Sequence, residues 1–422
     1  MNTLALAALL LAAPLTAQTS PSTADRTAEL ERKLDALSAE VEQLKLGAGA
    51  GAGAPSWASK MSWGGYGELN GVFPSRLNQK GDPSGQQKTL EPRRFVLLGE
   101  YRFTDAVMLK FELEMEHGGT GAGQESRGEF EVEQAFVDYR LTPWLTARAG
   151  HLLVPMGLVN LWHEPTSFHG VNRPSVETFI IPSTWHETGA GLWGKAGIFE
   201  YHSYAVTGGK AVNTGGAPTV DGLAGSTGLR GMSSEGSLSP AEDFAWVSRL
   251  DVRPMAGALL GASFYTGKAD QGLIATSAPV SLWEAHGDFN WKGAELRGLY
   301  AAGRVGNADA VNAAQLAVNP AFTDTIGSRL WGGYAQAAFD LLSLRAKASQ
   351  YLAPFFRYER YDTQARVPRG FSNNAGNSRV EYTAGLTYKP IPQLALKLDE
   401  QWKRTQARTG VNQWDLGLGF AF

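Results

Sequence analysis

Residues Val107–Glu116 have the sequence VMLKFELEME, and the prediction of the fold starts from its pattern. Apolar side chains at every second position alternate with Lys110 and three glutamates. Because successive side chains of a β-strand point to opposite faces, the stretch predicts a strand with one apolar and one charged face. The same period of two continues from Ser59 to the last residue, with no helical pattern between the strands.

The apolar face has two interpretations. In a soluble β-sandwich it would form the core between two sheets. Here the aromatic residues gather near strand ends, which is typical of the girdles that face lipid in membrane barrels. A sheet in lipid must also close on itself, since hydrocarbon offers no hydrogen-bond partners to an open edge. We therefore predict an all-β fold over residues 59–422, a closed antiparallel transmembrane β-barrel of about sixteen strands.

The connections between the predicted strands alternate between short and long, as in outer-membrane barrels. Tight turns are expected near 104–105, 142–143, 195–196, 253–254, 291–292, 341–342 and 390–392. Longer loops are expected at 74–90, 118–127, 155–187, 208–242, 269–279, 306–329, 360–378 and 407–411. This order places both ends of the barrel sequence on the periplasmic side of the membrane.

Composition excludes several classes of function. The 422 residues include 50 glycines, 12 tryptophans and 13 tyrosines, which suits many turns and aromatic-rich strands. No span after the N-terminus approaches the roughly 18 apolar residues of a transmembrane helix. The absence of cysteine excludes disulfides, a thiolate nucleophile and a lipid-modified N-terminal cysteine. A net charge of -3 gives no reason to expect nucleic acid as a partner.

Residues 1–17 have the pattern of a secretory signal peptide. An apolar run from Leu4 to Leu15 precedes small residues that end at Ala17, and this run is too short to span a bilayer. A buried N-terminal helix is the alternative interpretation. Export of a barrel predicts a location in the bacterial outer membrane, with the N-terminal segment in the periplasm.

Residues 18–46 are predicted to form a periplasmic coiled coil. The apolar seam consists of Leu30, Leu34, Leu37, Val41 and Leu44. Their alternating spacing of four and three places them on one side of a helix. Such a short helix is marginal alone in water, so we expect it to mediate self-association, with a lone amphipathic helix on the barrel as the alternative. The Gly/Ala-rich residues 47–58 are expected to be a flexible linker.

The chain ends in an alternating strand. Its expected outward residues are Trp414, Leu416, Leu418, Phe420 and Phe422. A strand of this kind with a terminal phenylalanine resembles the signal by which the outer-membrane assembly machinery recognises its clients. We therefore expect that machinery to bind through Phe422, with outer-membrane lipid as the other partner of the barrel wall. The alternative is a soluble protein that ends in an aromatic strand.

Several stretches resemble the phosphate-selective porin family, the O and P type in its wide sense. They are 64–70 (GGYGELN), 94–97 (RFVL), 111–117 (FELEMEH), 129–139 (EFEVEQAFVDY), 163–165 (HEP), 173–174 (RP) and 181–187 (IPSTWHE). The resemblance covers roughly residues 62–194 closely and the remaining barrel by pattern only. It implies a sixteen-stranded homotrimeric barrel with an inward-folded loop that narrows each pore.

The resemblance does not imply that this chain selects phosphate. Members that select phosphate line their pores with ladders of arginine and lysine, and this sequence does not present such a ladder cleanly. We expect a porin, a passive diffusion channel for small hydrophilic or charged solutes, with anions such as phosphate among the solutes to consider.

If apolar residues face lipid, residues of the opposite parity face the lumen. The predicted pore-lining residues are Glu112, Glu114, Glu116, Glu131, Arg148, Arg249, Arg297, Arg345, Lys347, Arg379 and Lys397. Opposite charges on facing walls would set up a transverse field that favours dipolar solutes. A solvated inner face without selectivity is the alternative. Breaks in the alternation predict bulges near Gln134 and Glu400.

Residues 155–187 are the candidate constriction loop, because connections of more than about 15 residues without secondary structure are usually functional. Its candidate residues are His163, Glu164, His169, Arg173, Glu177, Trp185 and His186. Charges on a loop held within a pore would set the smallest aperture and the local field. The alternative is an extracellular loop that folds over the mouth of the barrel.

We predict no catalytic residue, no metal and no cofactor. His163 and His169 are too far apart for the zincin helix motif, and Pro165 would break that helix. The sequence has no Gly-x-Ser-x-Gly elbow and no Walker loop. Carboxylates such as Glu131 and Glu133 are more often solvated on a lumen wall than used in acid-base chemistry. Two alternatives stay open: a barrel-embedded hydrolase, and a structural barrel that tethers the envelope through its coiled coil.

Overall fold

The structure is a computed structural model that describes residues 57–118, 128–212, 222–236, 238–345 and 349–422. Residue contacts divide the chain into residues 1–59 and residues 60–422. The predicted signal peptide and the coiled-coil segment lie outside the described residues, as do the linker up to residue 56 and Lys347.

Residues 60–422 form a closed barrel of 16 β-strands. The strands are β1 (Met61–Pro74), β2 (Thr89–Arg102), β3 (Val107–Glu116), β4 (Phe130–Thr142), β5 (Leu145–Leu153), β6 (His186–Ala196), β7 (Phe199–Thr207), β8 (Phe244–Met255), β9 (Ala258–Lys268), β10 (Pro279–Trp291), β11 (Ala294–Val305), β12 (Arg329–Phe339), β13 (Tyr351–Arg366), β14 (Ser378–Ile391), β15 (Leu394–Thr405) and β16 (Gln413–Ala421). Each strand pairs antiparallel with its neighbours in sequence, and β1 pairs with β16. The predicted all-β class, closure, antiparallel order and strand number are confirmed.

The seam between β1 and β16 removes the last open edge of the sheet. The Gly65 N–H donates to the Phe422 carbonyl at 3.0 Å, and the Phe422 N–H donates to the Gly65 carbonyl at 2.9 Å. A Cβ atom at Gly65 would lie 2.6 Å from the Phe422 ring and would clash with the Val96 carbonyl. The closure therefore needs glycine at position 65.

The outer surface of the barrel is apolar. Leu250 is 48% exposed, Leu260 60% and Phe244 60%, all on strands. Exposed aromatic residues lie at both ends of the wall, such as Phe130 at the start of β4 and Trp291 at the end of β10. Water would make this surface an aggregation site, whereas hydrocarbon solvates it, as in transmembrane barrels.

Short and long connections lie at opposite ends of the barrel, here named the turn end and the loop end. Six turns, at 103–106, 143–144, 197–198, 256–257, 292–293 and 392–393, lie close to their predicted positions. Two α-helices, α1 (Val176–Phe179) and α2 (Ala308–Val318), lie in connections at the loop end. In the described part of the chain, no helix has both the length and the apolar character to cross a membrane.

The connection between β12 and β13 is longer than predicted. A 3-10 helix, Leu341–Leu344, follows β12, and the Asp340 carboxylate accepts hydrogen bonds from the N–H groups of Leu342 (3.0 Å) and Leu352 (3.1 Å). This capped turn delays the start of β13 to Tyr351. Arg345 lies exposed in the connection and not on a strand, so the prediction that it lines the pore is wrong.

The apolar core lies inside the barrel at the loop end. Its wall residues include Val206, Val247, Tyr265, Leu282 and Leu299, and its loop residues include Met156, Ile180, Ile181, Leu229, Met232 and Val311. Inward positions on the middle strands are therefore apolar where loops pack against them. The outer surface is apolar as predicted, but not every apolar strand residue faces outward, because these residues face the interior.

The outer face of β8 provides a test of its environment. We expect Leu250→Arg to lower the free energy of unfolding by about 2–4 kcal/mol in vesicles, because an arginine would lie near the bilayer midplane. Urea titration of tryptophan fluorescence in vesicles measures this quantity. Leu273→Arg is the control, since Leu273 lies in the exposed connection between β9 and β10 and should change stability by less than about 0.5 kcal/mol. Equal stability of the two variants would mean that β8 does not face hydrocarbon.

Candidate functional site

Residues 154–185, here named the inner loop, connect β5 to β6 and lie inside the barrel. Val154, Met156 and Ile180 of this loop are fully buried. Its hydrogen bonds reach distant parts of the wall, including one of 2.8 Å from Asn172 Nδ2 to Asp415 Oδ2 on β16. The loop therefore crosses the lumen and does not fold over the mouth.

Carboxylates from the wall accept hydrogen bonds from the backbone of the inner loop. The Val171 N–H donates to Asp399 Oδ2 on β15 at 2.7 Å, and the Val176 N–H donates to Glu359 Oε2 on β13 at 3.0 Å. An irregular segment leaves backbone groups unpaired, and each buried unpaired group is costly. These carboxylates remove that cost for the N–H groups.

Cationic side chains do the same for the carbonyl groups. Lys397 Nζ donates to the Gly170 carbonyl at 2.9 Å, and Lys389 Nζ donates to the Thr166 carbonyl at 2.7 Å. Arg357 donates to the His169 carbonyl at 3.3 Å, and Arg249 donates to the Gly157 carbonyl. The wall thus holds the inner loop through both signs of charge.

Glu177, at the second position of α1, organises the inner loop from within. Its Oε2 atom accepts hydrogen bonds from the N–H groups of Leu158 and Val159, each at 2.7 Å, and its Oε1 atom accepts one from Tyr334 Oη at 2.6 Å. Burial raises the pKa of Glu177, and these donors oppose that rise. The residue connects the two halves of the loop to β12.

His169 binds the opposite wall. Its Nε2 atom lies 3.0 Å from Glu295 Oε2 and its Nδ1 atom 3.0 Å from Thr387 Oγ1, while Tyr351 Oη donates to the same glutamate at 2.6 Å. Burial lowers the pKa of His169, and the Glu295 carboxylate opposes this. Both ring nitrogens have a polar partner, so this predicted loop residue is an anchor.

The other predicted loop residues each have different contacts. Arg173 donates to Ser183 Oγ at 2.7 Å, and burial lowers its pKa. Trp185 is 1% exposed and packs against Tyr265 with ring centroids 4.7 Å apart. The Glu164 side chain is half-buried. His186 is the first residue of β6, with its Nε2 atom 4.0 Å from Glu131.

Cavities lie on both sides of the inner loop. The cavity toward the loop end has a volume of about 320 Å³, and the two larger cavities toward the turn end have volumes of about 540 and 510 Å³. Arg173 lines the first cavity, while Trp162 of the same loop lines both turn-end cavities. The inner loop therefore forms the layer between them.

The loop-end cavity has mixed charge. Glu116 and Glu131 line it from β3 and β4, whereas Arg173, Arg230 and Lys403 line it from two loops and β15. Arg94, on β2, lies at the acidic side and forms ion pairs with Glu68 (2.9 Å), Glu114 (2.9 Å) and Glu116 (3.0 Å). Of the predicted acidic wall, Glu114 and Glu116 are thus paired with Arg94, and Glu116 and Glu131 lie at the cavity.

Three other predicted pore-lining residues are paired. Arg148 forms two hydrogen bonds of 2.8 Å with Asp138 at the 540 Å³ cavity. Arg297 binds Asp288 at 2.6 Å at the 510 Å³ cavity. Arg379 donates to the Ser226 carbonyl at 2.9 Å and so holds a second loop rather than a cavity wall.

The bulge predicted near Gln134 is present, and the one predicted near Glu400 is absent. On β4 the register with β3 shifts so that Glu112 faces Gln134 and Leu113 faces Val132, which leaves Glu133 as the extra residue. Pairing of β15 with β14 continues through Glu400 without a shift. The bulge places Glu133 beside His163 of the inner loop and Glu112 of β3.

Several anchoring and cavity residues were not predicted from the sequence. Arg94 and Arg357 follow the inward parity of their strands and could have been found from it. Lys389 lies beside the predicted turn at 390–392 and was not assigned to the lumen. Arg230 lies in a 3-10 helix of a loop expected outside the barrel, and no periodic pattern there indicates that the loop turns inward.

Comparison with known proteins gives one relative in sequence. A protein of Aquifex aeolicus (strain VF5), described only as uncharacterized, is 31% identical over 341 residues, which is 80% of this chain and 74% of the relative. No family model matches the chain.

Solved structures with a similar fold are outer-membrane proteins. The anion-selective porin from Comamonas acidovorans has a TM-score of 0.53 at 13% identity, covering 86% of this chain and 99% of its own. The outer membrane channel DcaP of Acinetobacter baumannii has a TM-score of 0.52 at 11% identity, covering 86% and 97%. The trimer form of OmpT, an outer membrane protein of Vibrio cholerae, has a TM-score of 0.51 at 10% identity, covering 86% and 99%. At these identities the likeness concerns the fold.

Anchoring of the inner loop can be tested by hydrogen exchange. In Asp399→Ala the Val171 N–H loses its acceptor, and a hydrogen bond to a charged group is worth about 1.5–3 kcal/mol. We expect amides of peptides that cover residues 166–175 to exchange at least about 10-fold faster by mass spectrometry. Asp362→Ala is the matched control, because Asp362 binds the N–H of Gln364 on its own strand. Unchanged protection in both variants would mean that Asp399 does not hold the loop.

Proposed function

The chain belongs to the family of the Aquifex aeolicus protein, and we propose that it is an outer-membrane porin, a passive diffusion channel for small hydrophilic or charged solutes. The proposed location is the bacterial outer membrane, with the N-terminal segment in the periplasm. One observation carries the proposal: a closed barrel combines an apolar outer surface with charged cavities inside it. Such a wall separates hydrocarbon from water, which is the physical requirement for a channel.

We propose the inner loop as the constriction. Its residues line cavities on both of its sides, and it is tied to the wall at β8, β13, β15 and β16. A loop held at so many points keeps a defined aperture, and thermal motion alone does not remove it from the path. Solutes would pass between this loop and the wall, through the cavities that Arg173 and Trp162 of the loop line.

The charges at the loop-end cavity support a preference for dipolar solutes. Glu116 and Glu131 lie on one wall, and Arg173 and Arg230 come from the loops. Opposite charges across a narrow space produce a transverse field, which lowers the energy of a solute that carries both signs. A wall of one sign would instead favour one class of ion.

We assign the chain to the phosphate-selective porin O and P family in its wide sense, on the strands and the inner loop that carry the resemblance. Phosphate selectivity is not part of the proposal. The Comamonas acidovorans porin is described as anion-selective, and that property belongs to that protein. In this chain Lys397 and Arg249 are bound to loop carbonyls, so these cations do not form a free ladder for an anion.

Single-channel recording in planar bilayers tests the proposal. We expect the purified full chain to give ion-conducting steps, with a reversal potential near zero in a tenfold KCl gradient, because both signs of charge line the path. A persistent lack of conducting steps would favour the envelope tether. Lipid hydrolysis by the same preparation would favour the barrel-embedded hydrolase.

The charged walls can be tested separately in the same recordings. We expect Glu131→Gln to shift the K⁺ to Cl⁻ permeability ratio toward Cl⁻ and Arg230→Gln to shift it toward K⁺, each by roughly twofold, since the field in a narrow cleft depends on single charges. Glu400→Gln is the control, because Glu400 shares the outward parity of Leu398 and should leave the ratio unchanged. Parallel shifts in the first two variants would contradict the transverse field.

We also propose that residues 18–46 form a coiled coil that supports a homotrimer through Leu30, Leu34, Leu37, Val41 and Leu44. The trimer form of the Vibrio cholerae protein supports this oligomer number for the fold. Deletion of residues 26–46 removes the apolar seam, so we expect trimers to dissociate at higher protein concentrations in detergent than trimers of the full chain do. Light scattering coupled to size exclusion measures the mass, with the full chain as control. Trimers of unchanged stability would mean that the barrel wall alone holds them.

A further inference from the structure

Glu112 of β3, Glu133 of β4 and His163 of the inner loop form a buried cluster inside the barrel. They are 3%, 0% and 4% exposed. Their nearest polar side-chain atoms all lie within 4.8 Å of one another. The β-bulge at Glu133 makes the cluster possible, because it turns both Glu133 and Gln134 toward the interior. Bulges frequently aim side chains at functional sites.

The distances in the cluster do not suit hydrogen bonds. His163 Nε2 lies 3.4 Å from Glu133 Oε1 and 3.6 Å from Glu112 Oε1. Hydrogen bonds from nitrogen to oxygen are usually about 2.7–3.2 Å long. Two ligands of a tetrahedral cation, each about 2.0–2.2 Å from the metal, are separated by about 3.4 Å. The two distances from His163 Nε2 are close to this separation.

Two of the three residues of the cluster have buried polar atoms without a hydrogen-bond partner among the described residues. This is true of both carboxylate oxygens of Glu133 and of His163 Nε2. The neighbouring acid Glu114 is bound to Arg94 at 2.9 Å. Buried polar atoms normally have a partner, so the unpaired atoms of two facing side chains indicate that a ligand binds between them.

The surroundings hold the cluster in the orientation that a metal requires. His163 Nδ1 lies 3.0 Å from the Asn160 carbonyl, which leaves Nε2 as the coordinating atom. Glu112 accepts hydrogen bonds from Tyr66 Oη at 3.0 Å and from Gln134 Nε2 at 2.5 Å. Metal-binding histidines typically donate their second N–H to a carbonyl or carboxylate, and metal-binding carboxylates are themselves hydrogen-bonded.

We propose that Glu112, Glu133 and His163 bind a divalent transition-metal cation of the Zn²⁺ type. Two carboxylates and a neutral imidazole carry a charge of -2, which one such cation cancels. The mixed nitrogen and oxygen ligands favour Zn²⁺, Mn²⁺ or Fe²⁺ over Ca²⁺ and Mg²⁺, which prefer oxygen alone. Three protein ligands leave a fourth position for water, and Glu112 also lines the 540 Å³ cavity, which gives the cation access.

The site would fasten the inner loop to β3 and β4, on the side where backbone anchors are few.

The competing arrangement is an ion cluster in which His163 is protonated. Burial lowers the pKa of His163, but the Glu133 and Glu112 carboxylates outweigh it and raise the pKa to about 10. A protonated ring would leave one negative charge uncompensated and no free lone pair for a metal, so the two arrangements exclude each other.

Measurements of metal binding by the full chain in detergent distinguish the metal site from the cluster with a protonated His163. Protein without an affinity tag is treated with EDTA, exchanged into buffer and titrated with Zn²⁺ by calorimetry, and bound metal is measured by mass spectrometry. We expect one Zn²⁺ per chain and at least about 10-fold weaker binding in Glu133→Gln and His163→Gln. His169→Gln is the matched control, because it removes another buried histidine–glutamate pair whose ring nitrogens both have partners. It should bind like the unchanged chain.

Co²⁺ gives a second measurement that needs no variant. In the unchanged chain it should produce the visible absorption of a four-coordinate site with nitrogen and oxygen ligands, and Zn²⁺ should abolish this absorption. Failure of the unchanged chain to bind, or equal binding by Glu133→Gln, would overturn the proposal and leave the protonated cluster. The assay does not depend on conduction, so a chain that binds Zn²⁺ but forms no channel would contradict only the proposed function.

Discussion

Every backbone N–H and C=O group away from water needs a hydrogen-bond partner, and the structure depends on this constraint. The strands meet it by pairing, and the β1–β16 seam satisfies the last edge. The inner loop cannot meet it in this way, because its backbone is irregular. Its N–H and carbonyl groups are satisfied by charged side chains from the wall, among them Asp399, Lys389 and Lys397. One constraint therefore explains both the closed sheet and the charges inside it.

The charged inward face therefore contains residues that hold the inner loop as well as residues that face a cavity. A ladder of charges that is free to meet a solute and a ladder that holds a loop have the same alternating sequence pattern. They differ in energetics, because a charge that is bound to a loop carbonyl is already stabilised and interacts less favourably with a passing ion. Arg249 and Lys397 belong to the second kind. The charges that face space, such as Glu131 and Arg230, lie at the loop-end cavity.

The period of two was sufficient to predict the class of fold, the closure and the strand number. Strands with one apolar face leave few arrangements other than a closed barrel in lipid, where an open sheet edge has no hydrogen-bond partners. The same period assigned Glu112, Glu131 and Arg148 to the inward face. It failed at Arg345, where a capped 3-10 turn postpones β13, and a cap is a local hydrogen bond that periodicity does not record. It also could not separate anchoring residues from cavity residues, because that distinction depends on which loop enters the barrel. Arg230 was missed for the same reason.

The two parts of the inner loop are held by different means. From Thr166 to Val176 the wall binds the backbone as well as the side chains of His169 and Asn172. At His163 only a side chain of the loop meets side chains of β3 and β4, and backbone anchors are absent among the described contacts there. Such an arrangement needs inward side chains at adjacent positions of one strand, which regular pleating does not provide. The bulge at Glu133 places two adjacent side chains of β4 inside the barrel, because Glu133 has no partner residue on β3. Strand pairing is thus interrupted at the residue that anchors His163 of the inner loop.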